Sequence, residues 1–181
     1  IKTRCDFSCA FFDKQLRTIA QSFSQPNHLG SLAGTVKQAI TEYGSEKLFP
    51  GDQIAINYPY PGGAHLNDIV VIAPFYYEDE IFGYFANTAH HVDVGGGAPA
   101  SIGAFREVFQ EGVIIPPVKL VERGDIVDDV FRLIISQIRS KRETAGDFRA
   151  QFAANNTGVN RLEVLVDRYG KNLVNFYIEE L

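Results

Sequence analysis

The chain has 181 residues, 45% of them hydrophobic and 22% charged, which is the composition of a globular protein that buries a substantial core. Its net charge is −5, and no run of Lys or Arg provides the basic surface that nucleic acids and anionic membranes attract. Apolar runs such as residues 69–75 are far shorter than the roughly 20 residues of a transmembrane helix. We therefore expect neither a nucleic acid nor a membrane as a partner.

The first residue indicates a fragment of a longer protein, and the spacing of the cysteines indicates free thiols. The chain begins at Ile1 and contains no Met, so we interpret it as the core fragment of a longer protein. Cys5 and Cys9 lie four residues apart in a predicted strand, roughly 13 Å at about 3.3 Å per residue, which is too far for a disulfide. We expect free thiols and a reducing, cytoplasmic setting.

The first two-thirds of the chain predict a β-sheet and one helix. Residues 7–12 and 17–22 flank a polar turn and predict a β-hairpin. Apolar residues at helical spacing predict a helix that is capped by Ser31 and stopped by Gly44. Three extended segments follow, at residues 53–57, 68–77 and 80–91.

The last third of the chain predicts helices. Pro116 and Pro117 exclude a helix at that point, and the segment after them is predicted to be extended. Apolar stripes then predict three helices, at residues 130–138, 148–169 and from 173 onward. The predicted class is α+β, with an antiparallel or mixed sheet followed by a C-terminal group of helices, in a single domain over residues 1–181.

Histidine and aspartate residues converge at the ends of two predicted strands. If the segments 68–77 and 80–91 pair as an antiparallel hairpin, Asp68 and His90 become cross-strand neighbours, about 4.5–5.5 Å apart at Cβ. His65 lies just before Asp68. Imidazole nitrogen and carboxylate oxygen suit zinc, manganese or iron, so the pattern predicts a metal site. The alternative is that these are solvated side chains, which are common at strand ends beside turns.

Two other features have a structural and a functional interpretation. Asp147, Gln151 and Asn155 recur every four residues on one face of the long predicted helix. We interpret this face as solvated, with a polar face lining a site as the alternative. The glycines at 95–97 are followed by Ala98 and no lysine, so they predict no phosphate-binding loop of the Gly-x-x-x-x-Gly-Lys-Ser/Thr type.

Several motifs occur in a fixed order along the whole chain. They are Asp6-Phe7-Ser8-Cys9-Ala10, His28-Leu29-Gly30-Ser31, the segments 57–68 and 89–96, Gln110-Glu111-Gly112, the segment 115–120 and Asp147-Phe148-Arg149-Ala150-Gln151. Together they closely resemble the hydantoinase B/oxoprolinase family. That family includes the B subunit of N-methylhydantoinase, 5-oxoprolinase, caprolactamase and the α-type subunits of acetone and acetophenone carboxylases. Family members are much longer, so the chain resembles their N-terminal part.

The resemblance implies a metal site and its ligands. One divalent ion, manganese, zinc or iron, would be held by Asp6, His65, Asp68 and His90. His91 and Asp93 would orient these ligands or accept a proton in the reaction.

The resemblance also implies partners and a reaction. A hydantoinase A-type subunit would bind ATP and magnesium and phosphorylate the substrate, so we expect a hetero-oligomer and no nucleotide on this chain. The expected reaction is ATP-dependent hydrolysis of a small cyclic amide such as a hydantoin, oxoproline or lactam. Two alternatives stay open, a subunit of an ATP-dependent ketone carboxylase and a non-catalytic scaffold for the partner.

One motif departs from the family pattern. The family usually reads Asn-Asp-Pro-Tyr where this chain has Asn57-Tyr58-Pro59-Tyr60. If the missing aspartate takes part in the chemistry, this chain is impaired or specialised. If it only caps the turn before Pro59, the change is structural.

Overall fold

The computed structural model describes residues 5–60, 63 and 65–180. Its strands are β1 (Phe7–Asp13), β2 (Thr18–Gln21), β3 (Gln53–Ile56), β4 (Asp68–Tyr77), β5 (Glu80–His90), β6 (Val118–Glu122) and β7 (Asp125–Ile126). Its α-helices are α1 (Pro26–Tyr43), α2 (Asp128–Ser136), α3 (Lys141–Tyr169) and α4 (Lys171–Glu180). The strands form one antiparallel sheet in the order β2-β1-β5-β4-β3-β6-β7. The predicted α+β class is therefore confirmed.

Helices cover both faces of the sheet. The first eight residues of β4 are all buried, which explains why this strand reads as a nearly continuous apolar run rather than an alternating one. Successive side chains of a strand point to opposite faces. Val70 and Ile72 accordingly pack beneath α1, whereas Ile69 and Val71 lie in the core cluster that contains Phe148 and Phe152 of α3.

Helix α1 begins six residues earlier than predicted. The N-cap is Gln25 rather than Ser31, and Pro26 occupies the first turn. Proline suits that position because its fixed φ matches the helix and its missing N–H would have no intrahelical partner there. The correction brings His28 into the helix, on the same buried stripe as Leu32 and Val36.

Helix α3 also begins earlier than predicted, at Lys141, and ends as predicted before Gly170. Two members of its predicted solvated face are buried, because Gln151 and Asn155 are each 3% exposed. Their side-chain amides donate to the backbone carbonyls of Ile69 (2.8 Å) and Val71 (3.2 Å) in β4. For these two residues the solvated interpretation is wrong, and the amides fix the position of α3 along the sheet.

The remaining differences are small. β5 ends at His90 instead of His91, and the short strand β7 was not predicted. Within the described ranges, no helix is both long enough and apolar enough to cross a membrane.

Candidate metal centre

The ends of three neighbouring strands meet at one edge of the sheet. Asp68 opens β4 and is paired with His90 at the end of β5, as the hairpin argument predicted. Asp6 directly precedes β1, and its backbone carbonyl accepts a hydrogen bond of 3.0 Å from the backbone N–H of His90. The sheet therefore gathers three of the predicted ligands from distant parts of the sequence.

Asp68 is the centre of this cluster. One of its carboxylate oxygens lies 2.7 Å from Nδ1 of His90, and the other lies 3.1 Å from Nδ1 of His65. The second oxygen also accepts a bond of 3.1 Å from the backbone N–H of His65, which holds the turn before β4. One ligand atom from each of His65, Asp68 and His90 lies within 4.8 Å of the other two. This spacing allows the three side chains to share one metal ion.

The cluster is buried at its base and open at its mouth. The Asp68 side chain is only 5% exposed, whereas the side chains of His90 and His65 are 24% and 61% exposed. A small molecule would therefore reach the cluster from the side of His65.

His28 connects Asp6, the fourth predicted ligand, to this group. Nε2 of His28 lies 3.4 Å from a carboxylate oxygen of Asp68 and 3.5 Å from a carboxylate oxygen of Asp6. His28 is 4% exposed, so helix α1 holds it at the inner side of the cluster.

The histidines keep Asp68 ionised. Burial by itself would favour the neutral acid, but hydrogen bonds from His28 and His90 outweigh it and hold the pKa of Asp68 far below its ordinary value. Reciprocally, the hydrogen bond to Asp68 raises the pKa of His28, against the opposing effect of burial. The base of the site thus carries a negative charge at neutral pH, which attracts a cation.

Sequence reasoning did not place His28 in the site. The signal was available in the spacing, because His28, Leu32 and Val36 are four residues apart and belong to one apolar helix face. The predicted helix, capped by Ser31, excludes His28 and therefore does not connect it with the site.

His91 points to the other face of the sheet from His90. Its Nε2 lies 2.9 Å from Oε1 of Gln151, and its ring contacts Phe148, with ring centroids 4.9 Å apart. Burial lowers the pKa of His91 to about 4, so this ring is neutral at physiological pH.

Asp93 is bound into the loop that follows. Its carboxylate accepts hydrogen bonds from the backbone N–H groups of Gly95 (2.7 Å) and Ala100 (2.9 Å), and it forms an ion pair with Arg139 at 3.3 Å. A Cβ atom at Gly96 would collide with the carbonyl oxygen of Gln110, so this glycine is required by a close approach of two backbones. The roles of His91 and Asp93 as proton acceptors stay predictions.

The unusual Asn57-Tyr58 segment is anchored through its first residue. Asn57 is buried and donates to the carbonyls of Leu66 and Val113, both at 2.8 Å, while its own side-chain oxygen accepts from the N–H of Ile115 at 2.7 Å. Tyr58 is 39% exposed. Pro61, Gly62 and Ala64, which belong to the segment 57–68 that resembles the family, lie outside the described residues.

Known proteins resemble this chain over nearly its whole length. An uncharacterized protein of Methanocaldococcus jannaschii is 46% identical over 173 residues, which cover 94% of this chain and 31% of that protein. Caprolactamase subunit beta of Pseudomonas jessenii is 36% identical over 177 residues, covering 97% of this chain and 30% of the subunit. The chain thus spans about a third of the length of these relatives.

Solved structures share the fold. The crystal structure of ATP-dependent caprolactamase from P. jessenii matches with a TM-score of 0.92 at 35% identity, over 97% of this chain and 30% of that one. Acetone carboxylase matches with a TM-score of 0.86 over 96% of this chain and 23% of its own, and its 19% identity supports the fold alone. The family model for hydantoinase B/oxoprolinase matches residues 1–181. The chain belongs to the hydantoinase B/oxoprolinase family.

Proposed function

We propose that this chain forms the metal centre of an ATP-dependent enzyme that hydrolyses cyclic amides. The observation that carries the proposal is the group of His65, Asp68 and His90, whose ligand atoms lie within 4.8 Å of one another. Asp6 is the fourth proposed ligand and is connected to the group through His28. The family and the ATP-dependent caprolactamase among its relatives support the reaction class.

The donor set fits a divalent cation. Two imidazoles and two carboxylates suit manganese, zinc or ferrous iron. They do not suit calcium, which prefers ligand sets made only of oxygen atoms. The ionised carboxylate of Asp68 offsets the charge of a cation, and the exposed position of His65 leaves one side of the site accessible.

A bound divalent ion would act as a Lewis acid toward a carbonyl-derived carbon centre or lower the pKa of a water molecule. The side chains of this chain have separate tasks around it. Asp68 fixes both histidines through its two oxygens, and Asp6 completes the carboxylate pair. His65 stands at the mouth of the site, where the substrate enters.

A partner subunit would supply the nucleotide chemistry. A cyclic amide is stabilised by resonance, so phosphorylation of its oxygen by an A-type partner with ATP and magnesium would create a leaving group. The name of the relative caprolactamase subunit beta supports such a division of labour. We expect a hetero-oligomer in which this chain contributes the metal centre.

His91 and Asp93 are the proposed proton acceptors. Asp93 lies in the loop that Arg139 holds, whereas His91 faces α3 and bonds to Gln151, so His91 would need a relay or a rearrangement to accept a proton from the centre. For the His91→Ala variant, loss of activity with full metal content would support a proton-transfer role. Loss of both would indicate that His91 belongs to the coordination of the ion.

The test uses the full-length protein purified together with its partner subunit. Metal content is measured by elemental mass spectrometry, and ATP-dependent ring opening is measured with 5-oxoproline, hydantoin and caprolactam. We expect about one metal ion per chain and activity on at least one ring. Asp68→Asn should lose both, because it removes the charge at the base. The exposed Asp125→Asn is the matched control and should keep both.

Other outcomes decide between the alternatives. Incorporation of labelled bicarbonate into an added ketone such as acetone, without ring opening of the cyclic amides, would replace the hydrolase by the ketone carboxylase. Activity that persists in the absence of any metal and in Asp68→Asn would leave this chain as a scaffold for the partner.

A further inference from the structure

The inner side of the metal centre holds a buried histidine outside the predicted ligand set. His28 lies in the first turn of α1, 4% exposed, with Nε2 at similar distances from carboxylate oxygens of two different aspartates, 3.4 Å for Asp68 and 3.5 Å for Asp6. Its other ring nitrogen, Nδ1, is buried with no hydrogen-bond partner among the described residues. Among the described residues, the polar contacts of the ring are therefore those of Nε2 with the two carboxylates.

This geometry assigns a hydrogen to Nε2. A carboxylate accepts hydrogen bonds and donates none when ionised, so a ring nitrogen that faces two carboxylate oxygens has to carry the proton. One N–H is then shared between Asp6, which precedes β1, and Asp68, which opens β4.

His28 is itself held firmly. Leu32 and Val36, one and two turns further along the same helix face, are 1% and 0% exposed. The hydroxyl of Ser8 in β1 donates to the carbonyl of Gln25 at the helix start, at 3.4 Å. Helix α1 thus holds the His28 ring in place between the carboxylates of Asp6 and Asp68.

We propose that His28 is a positioning residue, whose shared Nε2–H sets the separation and orientation of Asp6 and Asp68 for metal binding. Without it, the carboxylate of Asp6 would be repelled by that of Asp68 and would rotate toward solvent, to which the Asp6 side chain is already 30% exposed. The inference rests on the proposed metal centre and adds a residue that acts on the ligands rather than on the ion.

The test measures Mn²⁺ binding to the full-length protein by titration calorimetry and by electron paramagnetic resonance. His28→Leu removes the N–H, and we expect it to weaken Mn²⁺ binding about 10–100-fold. His28→Gln keeps an N–H donor at a similar reach, so it should restore affinity to within about threefold of the native protein and reproduce its resonance spectrum. Thr35→Val, buried on the same helix, is the matched control and should bind Mn²⁺ normally.

The outcomes separate this inference from the proposed function. If the native protein binds Mn²⁺ and His28→Leu binds it equally well, the positioning role is wrong and the metal centre stands. If His28→Gln binds as poorly as His28→Leu and its spectrum differs from the native one, His28 is a ligand and the positioning role is wrong. If the native protein binds no Mn²⁺, Zn²⁺ or Fe²⁺, both proposals fail.

Discussion

At the scale of single residues, neighbouring histidines have different environments. His90 faces α1 and contacts Asp68 of the cluster, whereas His91 faces α3 and contacts Gln151 in the interior. The alternation of side chains at the end of β5 produces this separation. Two residues that read as one motif in the sequence thus belong to two different layers of the protein.

The buried His91 predicts a pH dependence of stability. The pKa of His91 is lowered to about 4 in the folded protein, while the unfolded chain keeps the ordinary value of 6.5. Between these values the unfolded state binds the extra proton, so the free energy of unfolding falls as the pH decreases from 6.5 toward 4. This contribution amounts to as much as about 1.4 kcal/mol per pH unit.

Chemical denaturation of the metal-free protein between pH 4.5 and 7.5 measures this slope. The His91→Gln variant has no titrating group at this position and should show a shallower slope. The other ionisable groups, including His28 with its raised pKa, are common to both proteins and cancel in the difference. Equal slopes in the two proteins would show that His91 is already protonated or accessible in the folded state.

At the scale of elements, α3 lies very close to the sheet. Asn155 of α3 is hydrogen-bonded to side-chain amides of two strands. Asn87 of β5 donates to Asn155 at 2.8 Å, and Asn155 donates to Gln53 of β3 at 3.1 Å. Asn155 also donates to the carbonyl of Val71 at 3.2 Å, so these bonds join β5, β3 and β4 to the helix. A buried amide that lost its partner would cost about 1–3 kcal/mol, so the helix has a single preferred register on the sheet.

Two glycines of α3 test how close this packing is. A Cβ atom at Gly158 would lie 2.6 Å from Cδ1 of Phe85, whereas a Cβ atom at Gly146 would have no neighbour within 4 Å. Phe85 cannot easily move, since its ring packs against Phe11 at a centroid distance of 4.9 Å. We expect Gly158→Ala to lower the free energy of unfolding by about 1–3 kcal/mol through overpacking.

Gly146→Ala is the matched substitution in the same helix. Alanine favours a helix over glycine by about 1 kcal/mol, so this variant should be slightly more stable than the native protein. Denaturation midpoints of the two variants provide the comparison. Similar effects of both substitutions would mean that α3 is separated from β5 by more than the structure indicates.

At the scale of the whole molecule, the proposed centre draws its ligands from separate segments. Asp6 precedes β1, His65 and Asp68 lie at the start of β4, and His90 ends β5. An ion bound by all four would be held by the folded chain alone, because these segments separate on unfolding. Metal binding should therefore stabilise the fold.

The expected stabilisation follows from mass action. At a free Mn²⁺ concentration of 100 times the dissociation constant, the folded state gains about 2.7 kcal/mol. Thermal unfolding of the full-length protein with and without Mn²⁺ measures this gain as a higher midpoint temperature. The His65→Ala, His90→Ala double variant should show no such rise, and Asp125→Asn should show the native one. An equal rise in the double variant would place the bound ion elsewhere.

Much of the fold and part of the site follow from local pattern in the sequence. The antiparallel pairing of β4 with β5, and with it the contact of Asp68 and His90, is predictable because a short turn fixes the register of a hairpin. The family motifs add Asp6 as a fourth candidate, although no local pattern connects it to the others. The α+β class follows from the change of apolar period along the chain.

Other features were decided only by the tertiary structure. His28 meets Asp6 and Asp68 because α1 crosses one face of the sheet, and Gln151 and Asn155 are buried because α3 crosses the other. These contacts join residues 22 to 84 positions apart, and spacing within one element carries no information about which element lies opposite. The sequence pattern predicts that a polar residue on a helix face is solvated. Only the packing of the helix against the sheet shows whether that residue is buried and hydrogen-bonded.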